Sequence, residues 1–287
     1  MNLLNFKKDN KILLGIKTER GVIDVGQAAE KSRIEAPADM MQVILQGKDA
    51  LLKLAEIEKS AVQVIEEEKI EFAPCLINPE KILCVGLNYR KHVEETQYDR
   101  SEFPVIFSMF NNALAGHKQK IKLPKASKKY DYEAELVVVI GKEAFCVKEE
   151  EALSYVFGYT AGNDLSARDL QVRTSQWLIG KTCDGFAPIG PYITTADEVD
   201  PNNLNIQSEV NGKLRQSANT AEMIFDCAAI VSYISQFMTL KPGDIIFTGT
   251  PSGVIIGEPK GQRVWLKAGD EITVTIENIG ALTNTLG

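Results

Sequence analysis

Short blocks of apolar residues, many of them β-branched, recur along the chain after residue 80. Blocks of this length that are bounded by Gly, Asn or Asp predict β-strands. The predicted strands lie in KILCVGLNY (81–89), ELVVVIG (135–141), GPYITT (190–195), LNIQSEVNGKLRQ (204–216), GDIIFTG (243–249) and DEITVTIENIG (270–280). Within the fourth segment, Asn211-Gly212 predicts a hairpin with a type I′ turn.

Helical spacing of apolar residues is confined to a few segments. It predicts helices over about 39–58, 150–157 and 220–238, whereas residues 12–25 predict a hairpin that turns near Arg20-Gly21. The segment APCLINPEK (73–81) carries two prolines and is typical of a linker. We therefore expect a small N-terminal domain over residues 1–75 and a larger domain over residues 76–287. Strands outnumber helices without regular alternation, so the predicted class is α+β, mostly β.

The segment DYEAELVVVIGKE (131–143) joins a group of acids to an apolar strand. Its five consecutive aliphatic residues, Leu136–Ile140, predict a strand buried on both faces. Asp131, Glu133 and Glu135 precede them at a spacing of two, which places side chains on the same face of a strand. A further acid, Asp164, lies in GYTAGNDLSARDLQ (158–171), where the glycines and asparagine predict a turn.

Carboxylates that share an enclosed face need a compensating cation, because desolvating like charges costs several kcal/mol. Two Glu and one Asp with water form a common site for Mg²⁺ or Mn²⁺. The chain has two histidines, and its five cysteines form no CxxC pair, so a three-histidine or clustered-cysteine zinc site is excluded. A charged strand end in solvent is the alternative interpretation of these acids.

The net charge and the lengths of the apolar stretches limit which kinds of partner the protein can bind. A net charge of −7 argues against a nucleic-acid or anionic-membrane surface, and no apolar stretch approaches the ~20 residues of a membrane helix. The start MNLLNFKKDNK is a poor signal peptide, and unpaired cysteines suit a reducing compartment, so we expect a cytoplasmic protein. The GKT at 180–182 and the glycines of 249–257 are out of register for phosphate-binding loops.

Five motifs carry a resemblance to a known family. They are KILCVGLNYRKHVEE (81–95), DYEAEL (131–136), NDLSARDLQ (163–171), GKTCDGFAPIGP (180–191) and TGTPSGV (248–254). In this order they resemble the fumarylacetoacetate hydrolase superfamily, in its acylpyruvase and oxaloacetate decarboxylase-like branch. The resemblance implies a catalytic domain with a mixed β-sheet roll or sandwich, a small leading domain, a homodimer, and one Mg²⁺ or Mn²⁺ per active site.

The resemblance also implies roles for the acids and for one lysine. Glu133, Glu135 and Asp164 match the metal ligands of the family, and Lys181 matches its essential lysine. A lysine ammonium is a compact cation that can stabilise developing negative charge. A surface position is the alternative interpretation of Lys181.

Three further residues match substrate-binding positions of the family. They are Arg168, Gln171 and Thr250. An arginine can bind a carboxylate through two parallel hydrogen bonds, but an ion pair between Arg168 and Asp169 or Asp164 is an open alternative. Gln171 and Thr250 are also ordinary residues of turns and hairpins.

His92 and Glu95 lie three residues apart, so on a helical turn they face the same way. A histidine oriented by a carboxylate is a competent general base, and the resemblance implies such a dyad on a segment that closes over the substrate. A solvent-exposed helix is the alternative. We expect His117 to be a loop residue. Met109 stands where relatives often carry a lysine, which puts the fit to any one family substrate in doubt.

These features predict an enzyme that acts on a small 2-keto acid. A metal held by three carboxylates keeps open positions for the carboxylate and keto oxygens of such an acid. The expected reaction is metal-dependent cleavage of a C–C bond, by acylpyruvate hydrolysis or oxaloacetate decarboxylation. Isomerisation of 2-hydroxymuconate-type dioates, as by a 5-carboxymethyl-2-hydroxymuconate isomerase, is the alternative. A non-catalytic binding protein is a more remote one.

Overall fold

A computed structural model describes residues 1–287. The strands are β1 (Asn2–Lys8), β2 (Lys11–Thr18), β3 (Gly21–Asp24), β4 (Glu71–Phe72), β5 (Ile82–Gly86), β6 (Val105–Met109), β7 (Leu114–Ala115), β8 (Lys120–Ile121), β9 (Tyr130–Asp131), β10 (Ala134–Ile140), β11 (Val156–Asn163), β12 (Ser166–Ala167), β13 (Ala187–Thr195), β14 (Asn205–Val210), β15 (Lys213–Asn219), β16 (Ile245–Phe247), β17 (Glu271–Ile276) and β18 (Gly280–Leu286). The α-helices are α1 (Val25–Ser32), α2 (Met40–Gln46), α3 (Lys48–Ser60), α4 (Arg90–Thr96), α5 (Glu149–Ala152), α6 (Arg168–Gln171), α7 (Leu178–Lys181) and α8 (Cys227–Ser235).

The strands form three sheets of different size. The largest has 11 strands and runs β3-β2-β1-β13-β11-β10-β16-β5-β6, with β4 beside β1 and β7 beside β13. A sheet of five strands runs β15-β14-β17-β18-β8, and β12 pairs with β9 in a sheet of two. Antiparallel pairs predominate, and 18 strands outnumber eight α-helices, so the prediction of a mostly-β α+β fold is confirmed.

Strand β10 lies at the centre of the molecule and is buried on both faces, as predicted. Val137 and Val139 pack into an apolar core with residues of α2 and α3. Leu136, Val138 and Ile140 point to the opposite side, where they pack against β14, β17 and α8. Side chains of a pleated strand alternate between its two faces. Because each face of β10 packs against an apolar core, consecutive residues of the strand are all apolar.

The N-terminal residues extend the large sheet. Strand β1 pairs with β13, with Asn2 opposite Thr194 and Leu3 opposite Ile193. Helices α1–α3 cover the same face of this sheet as Val137, within one apolar core. The domain boundary near residue 75 stays a prediction.

Two predicted hairpins are confirmed. Strands β2 and β3 pair across a turn at Glu19-Arg20, one residue before the predicted centre at Arg20-Gly21. Strands β14 and β15 pair across Asn211 and Gly212, whose φ angles of 53° and 71° are those that a type I′ turn requires. The helix predicted over 39–58 is divided into α2 and α3 at Gly47, which has a φ of 56°.

The other two predicted helices are wrong in extent. The helix predicted over residues 150–157 ends at Ala152 as α5 and is followed by a 3₁₀ turn. Strand β11 then starts at Val156. Of residues 220–238, the α-helix begins at Cys227, because the side chain of Asp226 accepts a hydrogen bond from Ala229 N (2.8 Å) and caps it. Ile224 therefore lies outside the helix. Among the helices, none combines the length and the apolar composition needed to cross a membrane.

Candidate active site

The pairing of β10 with β11 brings three acids together. Glu135 lies opposite Gly162 in this antiparallel pair, Glu133 immediately precedes β10, and Asp164 immediately follows β11. The backbone amide of Asp164 donates to Glu133 O (2.9 Å), which fixes the two strand ends to each other. We call Glu133, Glu135 and Asp164 the acidic triad. Asp131, the first of the three alternating acids, is not part of it.

The acidic triad fits a divalent cation. Each residue contributes one carboxylate oxygen, and these three oxygens lie within 4.8 Å of one another. All three residues are buried. Asp164 Oδ1 is buried without a hydrogen-bond partner, although buried acceptors are normally paired. With Asp131, four acids face the two cations Lys181 and Arg168, which leaves a formal charge of −2 when all are ionised. A divalent cation would neutralise that charge.

The pKa values of the triad follow from burial and from the two cations. Burial raises the pKa of Glu135 well above its ordinary value, and the charges of Asp164 and Glu133 raise it further. Burial also raises the pKa of Asp164. Burial would raise the pKa of Glu133 as well, but the charges of Lys181 and Arg168 outweigh it and lower that pKa. Protonation can thus relieve the repulsion, and a bound cation would replace those protons.

Lys181 lies at the end of α7, inside the site. Its Nζ donates to Glu133 Oε2 (2.6 Å) and lies 2.9 Å from Asp164 Oδ2. The ammonium is also 5.5 Å from the centre of the Phe107 ring. Only 2% of the side chain is exposed, so the alternative interpretation as a surface lysine is wrong.

Arg168 forms ion pairs on two sides of the site. Its Nε donates to Asp131 Oδ2 (2.9 Å), and its Nη2 lies 2.6 Å from Glu133 Oε1. The ion pair with Asp169 or Asp164 that the sequence leaves open is absent. Burial lowers the pKa of the guanidinium, but the charges of Glu133 and Asp131 outweigh this and raise it, so Arg168 stays charged.

Residues 248–256, which we call the 248–256 loop, organise the other side of the site. The amide of Gly249 donates to Glu135 Oε2 (2.7 Å), and the amide of Gly253 donates to Glu95 Oε2 (2.9 Å). Both glycines have positive φ angles, 97° and 106°, which explains the glycines of the TGTPSGV motif. One loop thus orients an acid of the triad and the acid of the predicted dyad.

Asp131 anchors the end of the same loop. Its Oδ1 accepts from Ile255 N (2.9 Å) and its Oδ2 from Ile256 N (3.0 Å), in addition to Arg168. The carboxylate is fully buried. Asp131 therefore couples Arg168 to the 248–256 loop.

His92 and Glu95 form the predicted dyad on α4. His92 Nδ1 lies 2.9 Å from Glu95 Oε1, and His92 is buried, so the alternative of a solvent-exposed helix is wrong. Because a carboxylate accepts hydrogen bonds, this contact places a proton on Nδ1 and leaves Nε2 free to accept one. Thr96 Oγ1 donates to His92 O (2.7 Å) and closes the last turn of α4.

Every predicted site residue except Glu95 lines one pocket, and Glu95 lies behind His92. Gln171 accepts a hydrogen bond from Arg168 Nη1 (2.9 Å), and the hydroxyl of Thr250 accepts one from Gln216 Nε2 (2.8 Å). Their proposed roles toward substrate stay predictions. The pocket wall is completed by residues that the sequence did not single out, namely Val85, Gly86, Leu87, Thr96, Tyr98, Phe107, Trp177 and Ile256.

Met109 and His117 lie outside the pocket. Met109 is buried in the core beside the N-terminal helices, whereas Phe107, two residues earlier in β6, lines the pocket beside Trp177. Residues two apart on a strand share a face, so Phe107 and Met109 point to the same side of β6, and their different positions along the strand decide which one reaches the pocket. His117 is in a loop, as expected, and its Nδ1 accepts from Thr283 N (3.0 Å).

Known proteins resemble this chain over nearly its whole length. A fumarylacetoacetate hydrolase domain-containing protein 2 homolog of Dictyostelium discoideum is 44% identical over 290 residues, which cover 95% of this chain and 92% of the relative. The mitochondrial oxaloacetate tautomerase Fahd2a of Rattus norvegicus is 41% identical over 250 residues, which cover 86% of this chain and 79% of the relative. The activity in the name of the rat relative supports an enzyme here too.

Solved structures share the fold and, in one case, hold a metal. A fumarylacetoacetate hydrolase from the psychrophile Exiguobacterium antarcticum matches with a TM-score of 0.83 and 33% identity, covering 100% of this chain and 99% of that one. The fumarylpyruvate hydrolase of Pseudomonas aeruginosa, solved with Mn²⁺ and pyruvate, matches with a TM-score of 0.67 and 33% identity, covering 73% of this chain and 90% of that one. Together with the acidic triad, that complex supports divalent metal binding.

A family model described as the C-terminal part of fumarylacetoacetate (FAA) hydrolase matches residues 81–287. This match spans all five motifs and every member of the candidate site. The chain therefore belongs to the fumarylacetoacetate hydrolase family.

Proposed function

We propose that the chain is a divalent-metal-dependent enzyme that interconverts the enol and keto forms of oxaloacetate. The observation that carries the proposal is the buried acidic triad, with its excess negative charge, in the same pocket as His92. The name of the rat relative, which is 41% identical, supports oxaloacetate as the substrate. A tautomerase has to move one proton between carbon and oxygen without breaking the carbon skeleton.

The acidic triad would hold Mg²⁺ or Mn²⁺ in this reaction. The ion would supply Lewis acidity at the keto oxygen of a 2-keto acid, which makes the protons on the neighbouring carbon more acidic. Arg168 and Lys181 keep their positive charges beside the acidic triad, so a site that holds a divalent cation has no net negative charge to repel a dianionic substrate. Thr250 and Gln171 offer polar atoms on the pocket wall.

His92 is the group that would carry the proton. Glu95 holds the imidazole with Nδ1 protonated, so Nε2 can accept a proton from the substrate and return it at the other position. The apolar wall that Phe107, Trp177 and Ile256 form limits the access of water to this exchange.

A second candidate is the predicted cleavage of a C–C bond. The His92–Glu95 dyad favours it, because the same base can activate water for hydrolysis of an acylpyruvate. The name of the related fumarylpyruvate hydrolase describes a reaction of this class. Decarboxylation of oxaloacetate would release CO2 and leave the enolate of pyruvate, so it would need the same stabilisation of an enolate but no activated water.

The test is an assay of the purified protein with Mg²⁺ or Mn²⁺ on three substrates. For oxaloacetate, ultraviolet absorbance follows the enol form and a coupled lactate dehydrogenase assay follows pyruvate. We expect enol absorbance to decay faster with enzyme while pyruvate forms at the uncatalysed rate. Pyruvate formation would favour the decarboxylase, and turnover of an acylpyruvate the hydrolase. Turnover confined to a 2-hydroxymuconate-type dioate would favour the isomerase and contradict the proposal.

The cellular location and assembly of the enzyme are part of the same proposal. We keep a homodimer as the expected assembly. The sequence predicts a cytoplasmic location, whereas the rat relative carries the word mitochondrial in its name, and cell fractionation distinguishes the two locations.

A further inference from the structure

Gln216 is a buried polar residue of β15 whose side chain reaches the 248–256 loop. It is 1% exposed, and its side-chain amide makes four hydrogen bonds, all to other groups of the protein. Its Oε1 accepts from Ala134 N (3.0 Å) and from Ser208 Oγ (2.9 Å). Its Nε2 donates to Thr250 Oγ1 (2.8 Å) and to Pro251 O (2.8 Å).

The direction of these bonds is fixed by backbone groups at both ends of the amide. The backbone N–H of Ala134 can only donate, so the amide oxygen of Gln216 must face it. The backbone carbonyl of Pro251 can only accept, so the amide nitrogen must face it. Reversing the amide would set two donors against each other at one end and two acceptors at the other.

The fixed amide determines how Thr250 can bond. Because Gln216 Nε2 donates to it, the Thr250 oxygen acts as an acceptor in that contact. A hydroxyl has one proton to donate, and no group of the protein accepts it in this structure. Thr250 lines the pocket of the acidic triad, so its proton is available to a bound molecule there.

We propose that Gln216 is a positioning residue that makes the Thr250 hydroxyl a dedicated hydrogen-bond donor in the substrate pocket. Thr250 then recognises an acceptor oxygen, such as that of a substrate carboxylate, and disfavours a donor at the same point. The identity of the acceptor as a carboxylate rests on the proposed function. The coupling of Gln216 to Thr250 rests on the hydrogen bonds alone.

The test measures the binding of oxalate, a small dicarboxylate, to the full chain in the presence of Mg²⁺ by isothermal titration calorimetry. We expect Thr250→Val and Gln216→Met each to weaken oxalate binding about 10-fold. In the double variant the losses should not add, so that its affinity stays within about 2-fold of that of Thr250→Val. Binding of Mn²⁺ alone should change by less than about 2-fold in Thr250→Val, since the Thr250 side chain makes no hydrogen bond to the acidic triad, whereas Gln216→Met also removes the acceptor for Ala134 N, between Glu133 and Glu135.

Two further variants separate positioning from general loss of packing. Ser208→Ala removes one hydrogen bond to Gln216 Oε1 and leaves both bonds of Nε2, so it should lower thermal stability and keep oxalate affinity. Gln216→Glu keeps the acceptor for Ala134 and removes both N–H donors, so an ionised carboxylate draws the Thr250 proton toward its new oxygen and oxalate binding should weaken about 10-fold or more. This variant decides the matter if Gln216→Met does not fold.

The outcomes distinguish this inference from the proposed function. If Thr250→Val weakens oxalate binding but neither Gln216 variant does, the inference is wrong and the function stands. The same holds if the losses of Thr250→Val and Gln216→Met multiply to about 100-fold. If the parent does not bind oxalate with Mg²⁺ at all, the proposed function and the assignment of a carboxylate as the acceptor for Thr250 both fall.

Discussion

The ammonium of Lys181 lies 2.6 Å from Glu133 Oε2, inside a pocket that excludes most solvent from both groups. A buried ion pair of this kind contributes little net stability, because desolvation offsets most of the attraction. Its presence beside two further acids therefore points to a functional role. The lysine holds one acid of the triad ionised and leaves a cation site beside it.

Lys181→Met separates these two effects of the lysine. Without the ammonium the formal charge of the site changes from −2 to −3, so we expect Mn²⁺ affinity to rise about 10-fold, which is worth about 1.4 kcal/mol. The turnover rate should nevertheless fall by about 10²–10³-fold, because a positioned cation is lost from the substrate pocket. Calorimetry with Mn²⁺ and steady-state kinetics measure the two quantities. A variant with parental turnover would contradict the role of Lys181, and the exposed Lys142→Met serves as control.

Glu135→Gln removes one charge from the triad and keeps an oxygen that can accept from Gly249 N. We expect Mn²⁺ affinity to fall by about 100-fold or more, with activity lost in parallel. Metal-free protein should melt at the same or a higher temperature, because the variant no longer has a carboxyl group there that must be either protonated or buried beside two like charges. Glu143→Gln, on an exposed residue, should match the parent in both assays. Parental metal affinity in Glu135→Gln would contradict the proposed ligand set.

Gly257→Ala tests the contribution of the dyad without altering either member. A Cβ at this position would lie 2.6 Å from Glu95 Cδ, so the carboxylate must shift from the position in which it contacts His92 and Gly253 N. We expect turnover to fall about 10–100-fold with little change in stability or metal affinity. Gly261→Ala is the matched control, since a Cβ there meets no atom within 4 Å. Equal turnover in the two variants would show that the position of Glu95 does not matter for catalysis.

His117 predicts a pH dependence of stability that does not involve the active site. Burial, followed by the charge of Lys118, lowers the pKa of His117 from 6.5 to about 4 in the folded protein. Between these pH values the unfolded chain binds a proton that the folded protein does not, so stability decreases as pH falls from 6.5 toward 4. His117→Asn should keep an acceptor for Thr283 N and lack this titration.

The measurement for His117 is urea unfolding of parent and variant at pH 7.0 and pH 4.5. Relative to His117→Asn, the parent should lose on the order of 2 kcal/mol between the two pH values. Parallel behaviour of the two proteins would mean that His117 protonates with an ordinary pKa in the fold.

Local sequence patterns predicted the central elements of the fold well. The apolar run of β10 and the Asn211-Gly212 hairpin are encoded by neighbouring residues, so periodicity and turn chemistry are sufficient. Strand β11 was missed because its glycines imitate a turn. Gly158 is instead required for close packing, since a Cβ there would lie 2.3 Å from Thr194 O in β13.

In the candidate site, too, features carried by short motifs were predicted, whereas contacts between distant segments were not. The family motifs predicted the acidic triad, the dyad and Lys181, and the structure brings them into one place. The partner of Arg168 was not predictable from spacing, because Asp131 is 37 positions away in sequence. Gln216 was missed for a similar reason, since its contact with Ala134 spans 82 positions and depends on how β15 approaches β10.

The most direct test of the central claim is a crystal structure of the protein with Mn²⁺ and oxalate, with anomalous scattering recorded to locate the manganese. We predict one strong anomalous peak coordinated by oxygens of Glu133, Glu135 and Asp164, with oxalate completing its coordination. A peak at any other position, or none within bonding distance of these three carboxylates, would contradict the account.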